Sequence, residues 1–177
     1  SAPHDLVAIF QLATVQITVT SSPATGSGFV KVDGVAYDTP HTFSWTATDT
    51  HTLQALSPVT FATTQYIWTS WSDGLAQTHT YTVPGADATV TAYYDTKYKL
   101  TISVSPPGGG TTSPAVGSYW YYSTGSASVT ATPAANYVFD HWTLDGNPAG
   151  SDNPISVTMS APHDLVAIFQ LATVQIT

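Results

Sequence analysis

The sequence predicts an all-β fold made of two small tandem modules, each a β-sandwich or a β-grasp-like arrangement of antiparallel strands. Three observations lead there: strand-like alternation, a composition poor in helix formers, and turn signals between the alternating segments. Glutamate and arginine are absent, while threonine occurs 30 times among 177 residues. Such a composition favours a pleated, half-buried surface over a helix.

Alternation with a period of two recurs along the chain, so that one face of each predicted strand is apolar and the other carries hydroxyl groups. The clearest apolar faces are Val15, Ile17 and Val19; Leu100, Ile102 and Val104; and Ile155, Val157 and Met159. No segment sustains the spacing of an amphipathic helix.

Asp-Gly pairs and tryptophans mark the turns and the core. Asp33-Gly34, Asp73-Gly74 and Asp145-Gly146 are hairpin signals, because glycine accepts a positive φ and aspartate can bond within its own turn. Trp71 and Trp142 precede two of these pairs, and we expect both indoles to fill the cores of small modules.

The two ends of the chain carry the same sequence. Residues 1–18 and residues 160–177 both read SAPHDLVAIFQLATVQIT, an offset of 159 positions. Identity of this length indicates repetition, so the chain is expected to be one period of a tandem array plus an overlap into the next period.

Each period divides again into two related halves. We predict that 1–12 is the last strand of a preceding module, 13–97 a first module, 98–172 a second module, and 173–177 the first strand of the next. The predicted joint between periods is four residues long, Gln170 to Thr173, and contains no glycine-rich or proline-rich spacer.

The second half contains the run VTATPAANYVFDHWTLDG (129–146), followed by NPISVTM and APHDLVAIF. This order of segments resembles the divergent internalin-type B-repeat of long bacterial and archaeal surface proteins. Residues 98–170 follow that pattern nearly completely, and residues 15–94 follow it in part. The resemblance implies a surface spacer, stalk or adhesin, and it implies no catalytic residues.

The charge and hydropathy of the chain limit the kinds of partner that we expect it to bind. The formal net charge is −8 with three lysines, so no basic patch is available for a nucleic acid. No run of 18 apolar residues occurs, so we expect no membrane insertion. The repeat type and the Thr/Ser-rich, charge-poor surface indicate an extracellular or cell-surface location.

Motifs for chemistry are not found in the sequence, and we expect neither an enzyme nor a cofactor nor a metal site. The histidines show no chelating spacing and are expected to be satisfied surface or turn residues. A calcium site is the alternative at one oxygen-rich stretch, which contains Asp145, Asn147, Asp152 and Asn153. Its ligand density is lower than that of an EF-hand loop, so turn chemistry is favoured.

Two sets of residues are candidates for binding. An unpaired apolar strand is a template for strand addition, which makes the duplicated segment a candidate for strand exchange or intermodule contact. Its apolar residues are Leu6, Val7, Ile9 and Phe10, and Leu165, Val166, Ile168 and Phe169. Residues 1–11 have three possible fates: the edge of a continuous filament, disorder, or completion of a neighbouring chain.

The second candidate is the aromatic run 119–122, which places Trp120 and Tyr122 on one strand face. That face could stack against sugar rings, although core and intermodule packing is the favoured interpretation.

The sequence therefore predicts a non-catalytic structural repeat of an extracellular fibre, stalk or filament. Its partners are other copies of itself, in series or as a filament. A glycan-binding adhesin module and a filament subunit that exchanges strands through 1–18 and 160–177 remain as alternatives.

Overall fold

The computed structural model describes residues 11–173, and within that range it contains strands and no helix. The all-β prediction is confirmed. The strands of the N-terminal half are β1 (Thr14–Ser22), β2 (Gly26–Val32), β3 (Val35–Thr39), β4 (His41–Thr46), β5 (Thr50–Ala55), β6 (Val59–Phe61), β7 (Thr64–Trp71), β8 (Thr78–Thr82) and β9 (Ala88–Ser105). The remaining strands are β10 (Gly110–Ser113), β11 (Gly117–Tyr122), β12 (Ser126–Pro133), β13 (Tyr137–Leu144), β14 (Asn147–Pro148), β15 (Ile155–Thr158) and β16 (His163–Leu171).

The described chain folds as two compact units. The first contains the residues up to Val59 together with Trp68–Tyr94, and the second contains Thr60–Ile67 together with the residues from Asp95 onward. Strand β9 is unbroken and contributes residues to both units. The boundary predicted at 97/98 therefore lies inside a strand, and the domain limits drawn from the sequence stay predictions.

In the first unit, β1 is the central strand of one sheet. It pairs antiparallel with β4 and parallel with the beginning of β9, and β7 pairs with β9 on the far side. The other sheet has the order β3-β2-β5-β8. The alternating residues Val15, Ile17 and Val19 of β1 are buried, as the period of two predicts.

The second unit repeats this plan. The end of β9 pairs antiparallel with β11 and parallel with β16, which pairs antiparallel with β13. A second sheet has the order β10-β12-β15. One core cluster draws side chains from both sheets, including Leu100, Val129, Trp142 and Leu165, so the unit is a β-sandwich. The sequence predicts antiparallel strands, whereas the structure also contains parallel pairs between β9 and its neighbours β1 and β16.

Two of the three Asp-Gly pairs form hairpin turns. Asp33 and Gly34 have φ angles of 50° and 82°, and Asp145 and Gly146 have φ angles of 50° and 78°. Positive φ at both positions is typical of the type I′ turn that suits a tight hairpin. These turns join β2 to β3 and β13 to β14.

The hairpin prediction is wrong for Asp73-Gly74. Strands β7 and β8 do not pair, because β8 pairs with β5 in the other sheet. The Asp73 carboxylate instead accepts a hydrogen bond from the Leu75 N–H at 3.1 Å. The Asp-Gly turn here connects β7 in one sheet to β8 in the other sheet.

Candidate functional site

The end of the described chain, β16, occupies an interior position in its sheet. It pairs with β13 on one side and with β9 on the other. Leu165, Ala167 and Phe169 alternate along it, and all three are buried in the core of the second unit. Val166 and Ile168 point to the opposite face and are half-buried.

The sequence candidates in the duplicated segment thus divide into two groups. Leu165 and Phe169 are core residues, while Val166 and Ile168 line the other face of the same strand. Their roles in exchange or intermodule contact stay predictions. The corresponding residues of the first copy, Leu6, Val7, Ile9 and Phe10, lie outside the described residues.

The Phe169 ring occupies a site that only glycine leaves open. A Cβ at Gly110 would collide with the ring and would lie 2.6 Å from the Thr132 carbonyl oxygen. At Gly109, a Cβ would lie 3.0 Å from the Phe169 Cβ. Phe139 completes the pocket with an edge contact, its centroid 5.8 Å from that of Phe169. The glycines are therefore needed here for close approach to the ring.

Asp145 ties the beginning of β16 to the β13–β14 turn. The Asp164 N–H donates to Asp145 Oδ1 at 2.8 Å, and the Asp145 N–H donates to the Asp164 carbonyl at 2.9 Å. His163 Nδ1 lies 2.7 Å from Asp145 Oδ2. The backbone hydrogen bond, and after it the histidine, lowers the pKa of the Asp145 carboxyl below its ordinary value. We call this arrangement the aspartate–histidine clamp.

The same clamp occurs in the first unit between the β2–β3 turn and β5. His51 Nδ1 lies 2.7 Å from Asp33 Oδ2, and the Thr52 N–H donates to Asp33 Oδ1 at 2.8 Å. The Asp33 N–H donates to the Thr52 carbonyl at 2.9 Å. The hydrogen bond with His51, followed by that from Thr52, lowers the pKa of the Asp33 carboxyl.

Sequence reasoning identified the turns and treated the histidines as satisfied turn residues, but it did not connect them. The signal was present as a spacing: both histidines follow their aspartate by 18 residues. Both also begin a His-x-Leu-x-Ala run, at 51–55 and 163–167. The clamp is a positioning device, because it fixes where a strand begins beside a hairpin turn.

The tryptophan prediction is confirmed in both units. Trp71 and Trp142 are 2% and 0% exposed. The Trp71 indole N–H donates to the Gln77 carbonyl at 3.1 Å, and that of Trp142 donates to the Asp152 carbonyl at 3.0 Å. Each buried ring thus has its polar atom satisfied, as a core indole requires.

The aromatic candidates lie on β11, which is paired with β9. Tyr119 and Tyr121 pack against the core, so Trp120 and Tyr122 occupy the other face of the strand. Trp120 is half-buried, and Tyr122 is 45% exposed with Lys97 Nζ 4.4 Å from its ring centroid. The lysine covers part of the tyrosine ring, and a role in glycan stacking stays a prediction.

Three of the four residues of the oxygen-rich calcium candidate, all except Asp152, use side-chain atoms in internal hydrogen bonds. Asn153 accepts from the Ala131 N–H and donates to the Ala131 carbonyl, both at 2.8 Å. Asn147 donates to the Asp145 carbonyl at 3.2 Å, and the Asp145 carboxylate belongs to the clamp. Within residues 11–173, no group of three or more His, Cys, Asp or Glu side chains is arranged to hold a metal ion.

Comparison with known proteins supports the interpretation of the second unit as a surface-protein repeat domain. The family described as the divergent InlB B-repeat domain matches residues 100–173, which confirms the resemblance drawn from the sequence. No curated protein matches the chain. The part of the chain that the structure describes contains no helix suited to crossing a membrane.

Two solved structures show weak similarity. One comprises streptococcal high identity repeats in tandem, domains 3–4, of a cell surface protein: it is 16% identical with a TM-score of 0.25, over 90% of this chain and 99% of that chain. The other is the major pilin protein T-13 of Streptococcus pyogenes: it is 12% identical with a TM-score of 0.30, over 89% of this chain and 97% of that chain. TM-scores this low carry no inference about this chain.

Proposed function

We propose that this chain is a non-catalytic structural repeat of an extracellular fibre or stalk on a cell surface, in which folded β-sandwich units follow one another in series. The observation that carries the proposal is the identity of residues 1–18 with residues 160–177. A duplicated segment of this kind is the signature of a tandem array.

The duplicated segment joins one unit to the next. Strand β16 ends at Leu171, and β1 begins at Thr14, whose counterpart in the second copy is Thr173. By this correspondence with the first copy, we infer that a single residue, Ala172, separates β16 from the expected first strand of the next period. A joint of this length, like the four-residue joint predicted from the sequence, limits how freely consecutive periods can move.

The surface chemistry supports a location outside the cell. Eleven aspartates and three lysines are the only formal charges apart from histidine, so the surface is dominated by hydroxyl and apolar groups.

The test is electron microscopy of chains that carry two and four complete periods. A fibre or stalk requires the particle length to double from two periods to four, with a constant axial repeat for every 159 residues. Compact particles whose diameter grows only with the cube root of mass would overturn the proposal. Antibody labelling of intact native cells tests the location, and labelling only after permeabilisation would contradict it.

A glycan-binding module is the second candidate, and the outward-facing Trp120 and Tyr122 are the observation that favours it. A half-buried indole and an exposed phenol ring two residues apart on one strand face can stack on consecutive sugar units. Glycan-array binding that is lost in Trp120→Ala and Tyr122→Ala, and retained in Tyr93→Ala, is the expected result. Tyr93 is a suitable control because it is 42% exposed, close to the 45% of Tyr122. Unchanged binding in all three variants would exclude this site.

A further inference from the structure

We propose that β4 is a self-association strand, which pairs antiparallel with β4 of a second copy of this chain about a two-fold axis at Ser44. The inference goes beyond the proposed function, because that function concerns copies joined in series and this contact joins two separate chains. Strand β4 (His41–Thr46) lies at the edge of its sheet and pairs with β1 on one side. Within residues 11–173, no strand pairs with its other side.

The backbone groups at the centre of β4 point toward this open side. The Ala47 N–H donates to the Ala13 carbonyl at 2.8 Å, and hydrogen-bonded pairs alternate with non-hydrogen-bonded pairs along an antiparallel ladder. The ladder bonds to β1 therefore come from the alternate residues Trp45 and Phe43. Ser44 lies between them, so its N–H and C=O groups face away from β1 and toward the open side.

Pairing about Ser44 makes the backbone of β4 complementary to itself. Ser44 of each copy donates to Ser44 of the other copy and accepts from it, and Thr46 stands opposite Thr42 of the other copy. The Thr46 N–H then donates to that Thr42 carbonyl. The Thr46 carbonyl takes no part, because it accepts from the Asp49 N–H at 3.1 Å. Each copy thus donates one hydrogen bond from Ser44 and one from Thr46.

The side chains of β4 match on both faces of the pair. Phe43 and Trp45 lie on the same face as the buried residues of β1, and they are half-buried and stacked on each other with ring centroids 4.6 Å apart. In the pair, each Phe43 stands opposite Trp45 of the other copy, and aromatic pairs at opposite positions stabilise antiparallel sheets. On the other face, Thr42 and Thr46 place hydroxyl opposite hydroxyl. Thr18 and Thr42 already make such a contact at 2.9 Å.

Strand β4 also lacks the features that keep edge strands from associating. It contains no lysine, no carboxylate, no proline and no register shift against β1, and natural edge strands use such features against pairing. Three other edge strands of the described chain carry a charge: Asp38 in β3, the Asp73 carboxylate 3.1 Å from His79 Nε2 of β8, and the Lys97 ammonium over the Tyr122 ring of β11. Self-pairing of those edges brings like charges toward each other, whereas self-pairing of β4 does not.

The test changes Ser44 in the full chain and follows association by sedimentation velocity from micromolar to millimolar concentration, because a single strand pair is a small interface. Physiological salt screens the net charge of −8 on each copy. Ser44→Pro removes the N–H that faces the open side and keeps the ladder to β1, a position at which an edge strand tolerates proline. It should weaken the dimer at least about tenfold, because each pair loses two hydrogen bonds. Ser44→Ala keeps the N–H and should form dimers like the native chain.

Further variants keep the test decisive if Ser44→Pro folds poorly. Ser44→Lys places two ammonium groups side by side at the axis and should abolish the dimer. Gln16→Lys is the matched control, because Gln16 is exposed and stands opposite Ser44 on β1, where the two lysines of a dimer are separated by three strand spacings, about 14 Å. It should leave the dimer intact.

The register has its own measurement, since the chain contains no cysteine. A short bis-thiol cross-linker should join two copies of Ser44→Cys and should not join two copies of Gln16→Cys. A native chain that stays monomeric at millimolar concentration would overturn the inference. So would a dimer that persists in Ser44→Lys, or equal cross-linking of the two cysteine variants.

Discussion

Asp145 has three structural roles, one through its backbone and two through its carboxylate. It adopts a φ of 50° in the β13–β14 turn, accepts a hydrogen bond from the Asp164 N–H, and faces His163. Aspartate and asparagine tolerate this left-handed conformation better than other residues with a side chain, because their short polar groups can bond locally. The residue therefore shapes the turn and fixes the adjoining strand together.

Replacement of Asp145 separates the conformational role from the charged one. Asp145→Ala should lower the free energy of unfolding by about 2 kcal/mol, because alanine is strained at positive φ and leaves the Asp164 N–H without its acceptor. Asp145→Asn keeps the turn conformation and an acceptor oxygen, so it should cost less than half as much. Urea denaturation measures the free energy of unfolding of both variants. Equal losses in the two variants would show that neither the turn conformation nor the acceptor oxygen accounts for the stabilisation by Asp145.

The aspartate–histidine clamp should also make the free energy of unfolding decrease at acidic pH. The pKa of the folded Asp145 is lowered from its ordinary value of 3.8, so its ionised form stabilises the folded state above that pH. This contribution is lost as the pH falls through the lowered pKa of the folded state. The stability difference between the native sequence and Asp145→Asn should therefore shrink in urea titrations from about pH 5 to pH 2. A difference that stays constant across this range would contradict a charged role for the carboxylate.

At the scale of elements, β16 and β10 constrain each other across the two sheets of the second unit. Its face carries Leu165, Ala167 and Phe169 into the core, and the Phe169 ring reaches across to the beginning of β10 at Gly110. The two elements lie in different sheets, so their contact sets the local spacing of the sandwich. Substitutions at this contact act on both sheets.

Gly110→Ala should destabilise the second unit by about 1–3 kcal/mol, because a methyl group must displace the Phe169 ring or the backbone of Thr132. Gly85→Ala is the matched control, since the space around Gly85 is open and a Cβ there meets nothing within 4 Å. Thermal unfolding compares the two, and Phe169→Leu should partly restore the Gly110→Ala variant. Equal midpoints for the two glycine variants would exclude the close contact.

At the scale of the whole molecule, the long strand β9 contributes residues to both units. Strand β9 runs from Ala88 to Ser105 without interruption. Lys97 and Lys99 lie within it and pair with Tyr122 and Trp120. A protease that needs an extended, unpaired substrate meets neither lysine until the strand opens.

Trypsin should accordingly cut the native chain slowly. All three lysines lie in strands, Lys31 in β2 and the other two in β9. Chymotrypsin serves as the comparison, because Leu75 is 48% exposed in the segment between β7 and β8. Mass spectrometry of timed digests gives the order of cleavage. Rapid tryptic cleavage after Lys97 in the folded chain would show that the pairing of β9 with β11 opens at this residue.

The sequence by itself determined the strands, the core tryptophans, two hairpin turns and the class of the second unit. These features depend on local alternation and on residue types such as Trp142 and Gly146, which carry their preferences within a few positions. Only the tertiary structure decided that β9 pairs in parallel with β1 and β16, that Asp73-Gly74 changes sheets, and that Phe169 rests on Gly110. Pairing partners are chosen by burial between residues that are distant along the chain. Alternation fixes which face of a strand is apolar, but not which strand covers it.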